Sequence, residues 1–219
     1  MRTIIEIYEA YHIPPWLQEH QLRVAAVGKL ISERIVGVDV DSVVTACLLH
    51  DMGNILKFDL RPEAVLASMV PPEQRQYWIS VQREFQEKYG TDEHLATDMI
   101  VQEVGATDVV RELIQKMGFS KASDALEGGN IQLCVVEYAD KRVGPHGILS
   151  LEERMADVDR RYAERRSQKA ADDSGRYLAN IEAEREIERE LMLRAGMNAE
   201  EISEESVFPV IKALRNFAL

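Results

Sequence analysis

At 219 residues, 46% of them hydrophobic, the chain is long enough to bury one sizeable core and too apolar to read as disordered. Its net charge of −12 and pI near 5.0 argue against a general binder of polymeric nucleic acid, whose affinity rests on basic neutralisation of phosphates. Cys47 and Cys134 fall in separate apolar stretches, which reads as small buried hydrophobes in a reducing, cytoplasmic compartment rather than as a disulfide framework. Acids break the first apolar run too early for a signal peptide, and no stretch approaches the ~20 apolar residues of a membrane span.

Residues 2 to 11 predict a short amphipathic helix, and Ile13-Pro14-Pro15 restarts the chain with proline in a first turn. From Trp16 to about Val36, the apolar Trp16, Val24, Val27 and Ile31 recur at helical spacing, and His20 lies on the same stripe. Asp39 and Asp41 can cap the next helix, which carries Val43, Val44, Cys47 and Leu48 to His50-Asp51 and stops at Gly53. Pro62 and Pro71-Pro72 start further helices, the second running through Trp78 and Phe85 towards Gly90. Thr91 suits the cap of a helix to Val104, closed by Gly105, and Thr107 to Met117 repeats the pattern with Gly118 as its stop.

After Gly128-Gly129, residues Ile131 to Val143 are apolar on almost every side, which predicts a central core helix that Asp140 interrupts. Ser150-Leu151-Glu152-Glu153 has the spacing of a capping box and opens a run of alternating acids and bases to Gly196, with a break expected around Asp172 to Gly175. A last amphipathic helix covers Ser203 to Phe217. With no period-two strand of useful length, no glycine-rich phosphate loop and no repeat, the fold class is all-α. The organisation expected is a helical core over 1–148 and a charged helical extension over 149–219, which packs on the core or mediates formation of a homodimer.

Three core-facing segments each deliver polar groups that are costly to bury unpaired: His20, then His50-Asp51, then Asp140. Taken singly, each reads as well as a satisfied core residue or a hydrogen-bonded helix end. Together, two imidazoles and two carboxylates suit one divalent ion, Mn²⁺, Fe²⁺, Co²⁺, Ni²⁺, Zn²⁺ or Mg²⁺, in a site with open positions.

The order His20, His50-Asp51-Met52-Gly53, Asp140, with Tyr138-Ala139-Asp140-Lys141 at its end, resembles the HD-domain metal-dependent phosphohydrolase superfamily over roughly residues 15 to 145. The resemblance implies a helical bundle with a metal held by His20, His50, Asp51 and Asp140. It also implies hydrolysis of a phosphate ester, often of a nucleotide or other small phosphomonoester. Asp51 would then both ligate the metal and orient or deprotonate the attacking water. Cations must stabilise the phosphoryl oxygens, and Arg23, Lys57 and Lys141 flank the motifs.

Some HD enzymes bind further metals through histidines between the HD pair and the last aspartate. Here His94 has no second histidine between it and Asp140, so the expectation is one metal, with His94 contacting the phosphate or acting as general acid and Asp98 orienting its ring. HD nucleotidases often carry an acid shortly after the pair, and the signalling phosphodiesterases a lysine. This chain has Asn54, which donates to substrate or caps the broken helix. A non-catalytic nucleotide-binding HD scaffold and an HD-fold di-iron oxygenase are the alternatives.

Overall fold

The computed structural model describes residues 1–64, 70–166 and 172–219, and at 161–166 and 172–174 the backbone alone. Thr3 opens α1 (Ile4–Ala10) with a capping box completed by Glu6. This helix buries Ile4, Ile7 and Tyr8, and the Tyr8 hydroxyl donates to the Leu48 carbonyl at 2.7 Å, close to the end of α3 (Val40–Leu49). Tyr8→Phe strips that buried carbonyl of its donor and is expected to cost about 1–3 kcal/mol, read as a lower urea midpoint; an unchanged midpoint would mean that water satisfies the carbonyl.

Pro15 stands at the start of α2 (Pro15–Ser32), where a missing N–H costs nothing. Its long buried face packs on α3, on α8 (Ile131–Lys141) and on α11 (Glu204–Leu214). A Cβ at Gly28 would come within 3.0 Å of Cys47 Sγ and 3.3 Å of Val43, so the missing side chain is what lets α2 and α3 approach closely. Asp39 caps α3 by accepting the Ser42 N–H, and Val43 to Leu49 are all buried. Residues on α2, α3 and α8 therefore form the middle of the core, with Cys47 and Cys134 buried as free thiols within it.

The helix expected from Pro62 falls largely on residues 65–69, outside the described residues. Pro72–Gln74 make a single 3-10 turn into α4 (Arg75–Tyr89), which ends at Gly90. The cap of α5 (Glu93–Val104) is Asp92, not Thr91: its carboxylate accepts the N–H groups of both His94 and Leu95 at 2.9 Å. Thr107 caps α6 (Asp108–Lys116) as expected. The short α7 (Ala122–Glu127) was not foreseen, because the positions it buries are Ala122 and Ala125, too small to mark an apolar period.

Asn130 caps α8, whose residues Leu133 to Ala139 are buried without interruption. The helix stops two residues before Val143, where β1 (Val143–Gly144) pairs antiparallel with β2 (Gly147–Ile148) in a minimal hairpin. Arg142, 3% exposed, fastens this corner. Its guanidinium donates to the carbonyls of Leu149, Ala199 and Ile202 and to the Tyr138 hydroxyl.

Ser150 and Glu153 close the expected capping box on α9 (Leu151–Arg166). The expected break at Asp172 to Gly175 is instead the first turn of α10 (Asp172–Ala195); residues 167–171, which join the two helices, lie outside the described residues. Although rich in charge, α10 buries Asn180, Ala183, Glu184, Ile187 and Leu191 on one side and lies against α7 and α8. Pro209 sits inside α11. The termini are joined by reciprocal backbone hydrogen bonds between Arg2 and Leu219 at 3.2 and 3.0 Å. The described residues thus make an all-α fold with one two-stranded hairpin, and among them no helix is long and apolar enough to cross a membrane.

Candidate metal centre

The inner faces of α2, α3 and α8 meet where their polar residues interrupt the apolar core. His20 lies in the second turn of α2, His50 caps the C-terminus of α3 with Asp51 next to it, and Asp140 is the penultimate residue of α8. His20 Nε2 is 3.2 Å from Asp140 Oδ1 and 3.7 Å from Asp51 Oδ2. His50 Nε2 is 3.6 Å from an oxygen of each aspartate. One donor atom each from His20, His50 and Asp140 fits within 4.8 Å, the one such group of three or more among the described residues.

The orientation of His50 tests whether a cation fits there. Its Nδ1 sits 2.8 Å from the Cys47 carbonyl, so Nδ1 carries the hydrogen and donates it. In the neutral ring Nε2 then bears the lone pair. That atom is buried, has no hydrogen-bond partner, and faces carboxylate oxygens that can only accept. Lone pair against carboxylate is repulsive unless a proton or a cation lies between them. Two carboxylates and two neutral imidazoles sum to −2, the charge that a divalent ion neutralises, and bonds of about 2.0–2.2 Å would span the separations observed. The group fits a metal.

Asp140 is held well below the usual carboxylate range: burial opposes its charge, but Lys141, His20 and His50 outweigh burial. The Asp51 carboxyl is also lowered, by His50, Lys57 and His20 against burial. Both remain ionised at neutral pH. The side chains of Asp140, Asp51 and His20 are about one-fifth exposed, at 19, 20 and 21%, whereas His50 is 4% exposed. The cluster is anchored on one side and open to water and substrate on the other.

Without a metal, a proton takes the position on His50. Burial disfavours the charged ring, yet the two aspartates raise its pKa to about 9. Metal binding must expel this proton, so apparent affinity should rise by up to about tenfold per pH unit and level off above about pH 9. Titration of the metal-stripped chain with Mn²⁺ at pH 6.5, 7.5 and 8.5 reads this directly, and an affinity that does not change with pH would contradict it. The sign for folding is opposite: the raised pKa stabilises the metal-free fold at low pH, and that contribution is lost as pH climbs from about 6.5 to about 9.

The turn behind the pair is built from both sides. The Asp51 N–H donates to Gln21 Oε1 at 3.2 Å, and Gln21 is fully buried beside His20. The Gly53 N–H donates to Thr97 Oγ1 at 2.9 Å, and that hydroxyl donates to the Glu93 carbonyl of α5.

The remaining candidate residues are placed as follows. Lys57, at the end of a one-turn 3-10 helix begun by Asn54, is exposed and close enough to Asp51 to depress its carboxyl. Asn54 is buried, its N–H donating to the Asp51 carbonyl at 3.0 Å. Arg23 lies one turn beyond His20, with Nε 3.4 Å from Glu204 of α11. Lys141 is buried behind the cluster between Asp140 and Glu137. His94 stands 85% exposed with Glu93 at 3.8 Å, and the structure does not bring it into the four-residue group. Asp98 is engaged by Arg111 and Gln115.

Gln21, Thr97, Glu137 and Arg142 support the site without having been singled out in the sequence. A buried glutamine directly after a candidate ligand was the one available hint.

Among known proteins, the family model described as HD domain matches residues 17–141, a span that begins just before His20 and ends just after Asp140. No curated protein and no solved structure matches the chain.

Proposed function

The chain belongs to the HD-domain superfamily of metal-dependent phosphohydrolases, and from that premise we propose that it hydrolyses a small phosphomonoester, with nucleotides the first candidates, at the His20–His50–Asp51–Asp140 centre. The observation that carries the proposal is the orphaned Nε2 of His50, fixed by Cys47 and aimed at two ionised carboxylates.

A bound divalent ion would supply Lewis acidity, lowering the pKa of water and polarising a phosphoryl oxygen. His20 and His50 present neutral nitrogen donors, and Asp140 balances charge from behind. The Asp51 carboxylate, ionised and one-fifth exposed, accepts the proton of the attacking water as the P–O bond to the alcohol breaks, and the departing alkoxide takes a proton from solvent water on the open side of the site. Lys57, exposed and already within electrostatic reach of Asp51, is a cation suited to the phosphoryl oxygens. Arg23 can serve the same end once it parts from Glu204, and Asn54 helps fix the turn on which Asp51 stands. The ammonium of Lys141 acts through Asp140 rather than on substrate. We place this activity in the cytoplasm, with a phosphorylated small molecule as the partner.

The test is phosphate release from nucleoside monophosphates, sugar phosphates and a generic aryl phosphate, with Mn²⁺, Co²⁺, Ni²⁺ or Mg²⁺ supplied. Metal-dependent release is expected. A metal-loaded chain that releases none from any of them would favour a nucleotide-binding scaffold. His94→Ala decides the role of its imidazole: a general acid or phosphate contact requires a loss of about 10²-fold or more, whereas its 85% exposure leads us to expect a change within about threefold.

A further inference from the structure

Beneath the metal centre lies a second polar layer, of which the proposed reaction involves only Asp140 and its neighbour Lys141. Asp140 Oδ1 faces the histidines, while Oδ2 is 2.9 Å from Lys141 Nζ. Lys141 Nζ is in turn 3.0 Å from Glu137 Oε1, and Glu137 Oε2 accepts the Gly118 N–H. Behind Glu137 stands Glu184 of α10, 0% exposed, with no hydrogen-bond donor for either oxygen. The packing of α10 on α8 sets this carboxyl beside that of Glu137.

Two carboxylates cannot bond to each other unless one carries a proton. Glu137 already receives an ammonium and a backbone N–H, both of which favour its anion, so the proton belongs on Glu184. Burial first, and then the Glu137 charge, push the Glu184 carboxyl well above its usual range, which agrees with that assignment. The layer then reads neutral acid, carboxylate, ammonium, carboxylate. Its charges alternate, and Lys141 is shared between Glu137 and Asp140 rather than given wholly to Asp140.

We infer that Glu184, supplied by the C-terminal extension, positions the Asp140 carboxylate for metal through Glu137 and Lys141. The inference rests on the metal-centre reading above. It makes α10, which lies outside the matched residues 17–141, part of the site rather than an appendage. Partners that orient metal-ligating groups typically change metal affinity by about 10–100-fold when removed. A carboxylic acid buried only to fill space would affect folding alone.

The test measures Mn²⁺ affinity and melting temperature for the full-length chain carrying Glu184→Met, Glu184→Gln or Glu137→Gln. Met fills the space but cannot donate, so it should weaken Mn²⁺ binding about tenfold while leaving the melting temperature equal or higher. Gln at 184 can still donate an amide N–H to Glu137 and should hold the affinity within about twofold. Glu137→Gln, similar in shape, leaves Lys141 to neutralise Asp140 alone and should also weaken binding about tenfold. Wild-type affinity in Glu184→Met would overturn the inference, whatever Glu137→Gln does, while leaving the metal centre standing. Equal losses in Glu184→Gln and Glu184→Met would overturn the hydrogen-bonded route. If the wild-type chain itself binds no Mn²⁺, the proposed function and this inference fall together.

Discussion

Asp51→Asn lowers metal-dependent phosphate release by about 10³-fold or more and leaves the protein folded. The carboxylate serves two ends at once. It lies 3.6–3.7 Å from both imidazoles, so it contributes one of the two charges that attract a divalent ion. It is also one-fifth exposed and ionised, so it is placed to take a proton from water. Loss of a proton acceptor alone costs about 10²–10⁴-fold, and a weakened metal adds to this. Folding should survive, because the amide keeps the shape of the side chain and the anchoring bond from the Asp51 N–H to Gln21 belongs to the backbone. Activity of Asp51→Asn above a tenth of wild type, measured at saturating metal, would remove Asp51 from the chemistry.

Gly53→Ala produces the largest loss of stability among single-methyl changes near the site. The backbone dihedrals at Gly53, φ −91° and ψ −4°, are ones that any residue can adopt, so the constraint is space. A Cβ there would lie 2.3 Å from the Glu93 carbonyl oxygen and 2.8 Å from both the Ala96 Cβ and the Thr97 nitrogen. Two of these are backbone atoms of α5, which cannot turn aside as a flexible side chain would. The turn after Asp51 must move off the helix, and the Gly53–Thr97 hydrogen bond goes with it. Overpacking of this kind costs about 3 kcal/mol, roughly 6–12 °C in melting temperature for a chain of this size. Because the displaced turn carries His50 and Asp51, activity should fall as well. An alanine variant as stable and active as wild type would show that α5 does not press on this turn.

The four polar residues at the centre were legible because each breaks an otherwise apolar stripe: His20 among Trp16, Val24 and Val27, the His50-Asp51 pair after Val43 to Leu49, and Asp140 in α8. The helices α2, α3, α6 and α8 were legible for the complementary reason, apolar periods bounded by a proline, a capping residue or glycines. What supports the site was not. Glu137 and Glu184 look like ordinary helix charges, and Glu184 lies within a run of acids and bases whose usual place is the surface. Only the packing of α10 on α7 and α8 buries it. Arg142 gives no local sign of its role, since the carbonyls it binds belong to Leu149, Ala199 and Ile202, two of them more than fifty residues away. The hairpin at Val143–Gly144 and Gly147–Ile148 is too short to leave a period-two pattern, and the alanines of α7 are too small to leave a helical one.

The most direct measurement is the metal content of the purified chain after stripping with chelator and reloading with Mn²⁺, compared with Asp140→Asn treated in the same way. One ion per wild-type chain, and an ion lost from the variant on dilution, is the predicted result. A wild-type chain that retains no ion, or an Asp140→Asn chain that retains one as tightly, would contradict a metal centre at His20, His50, Asp51 and Asp140.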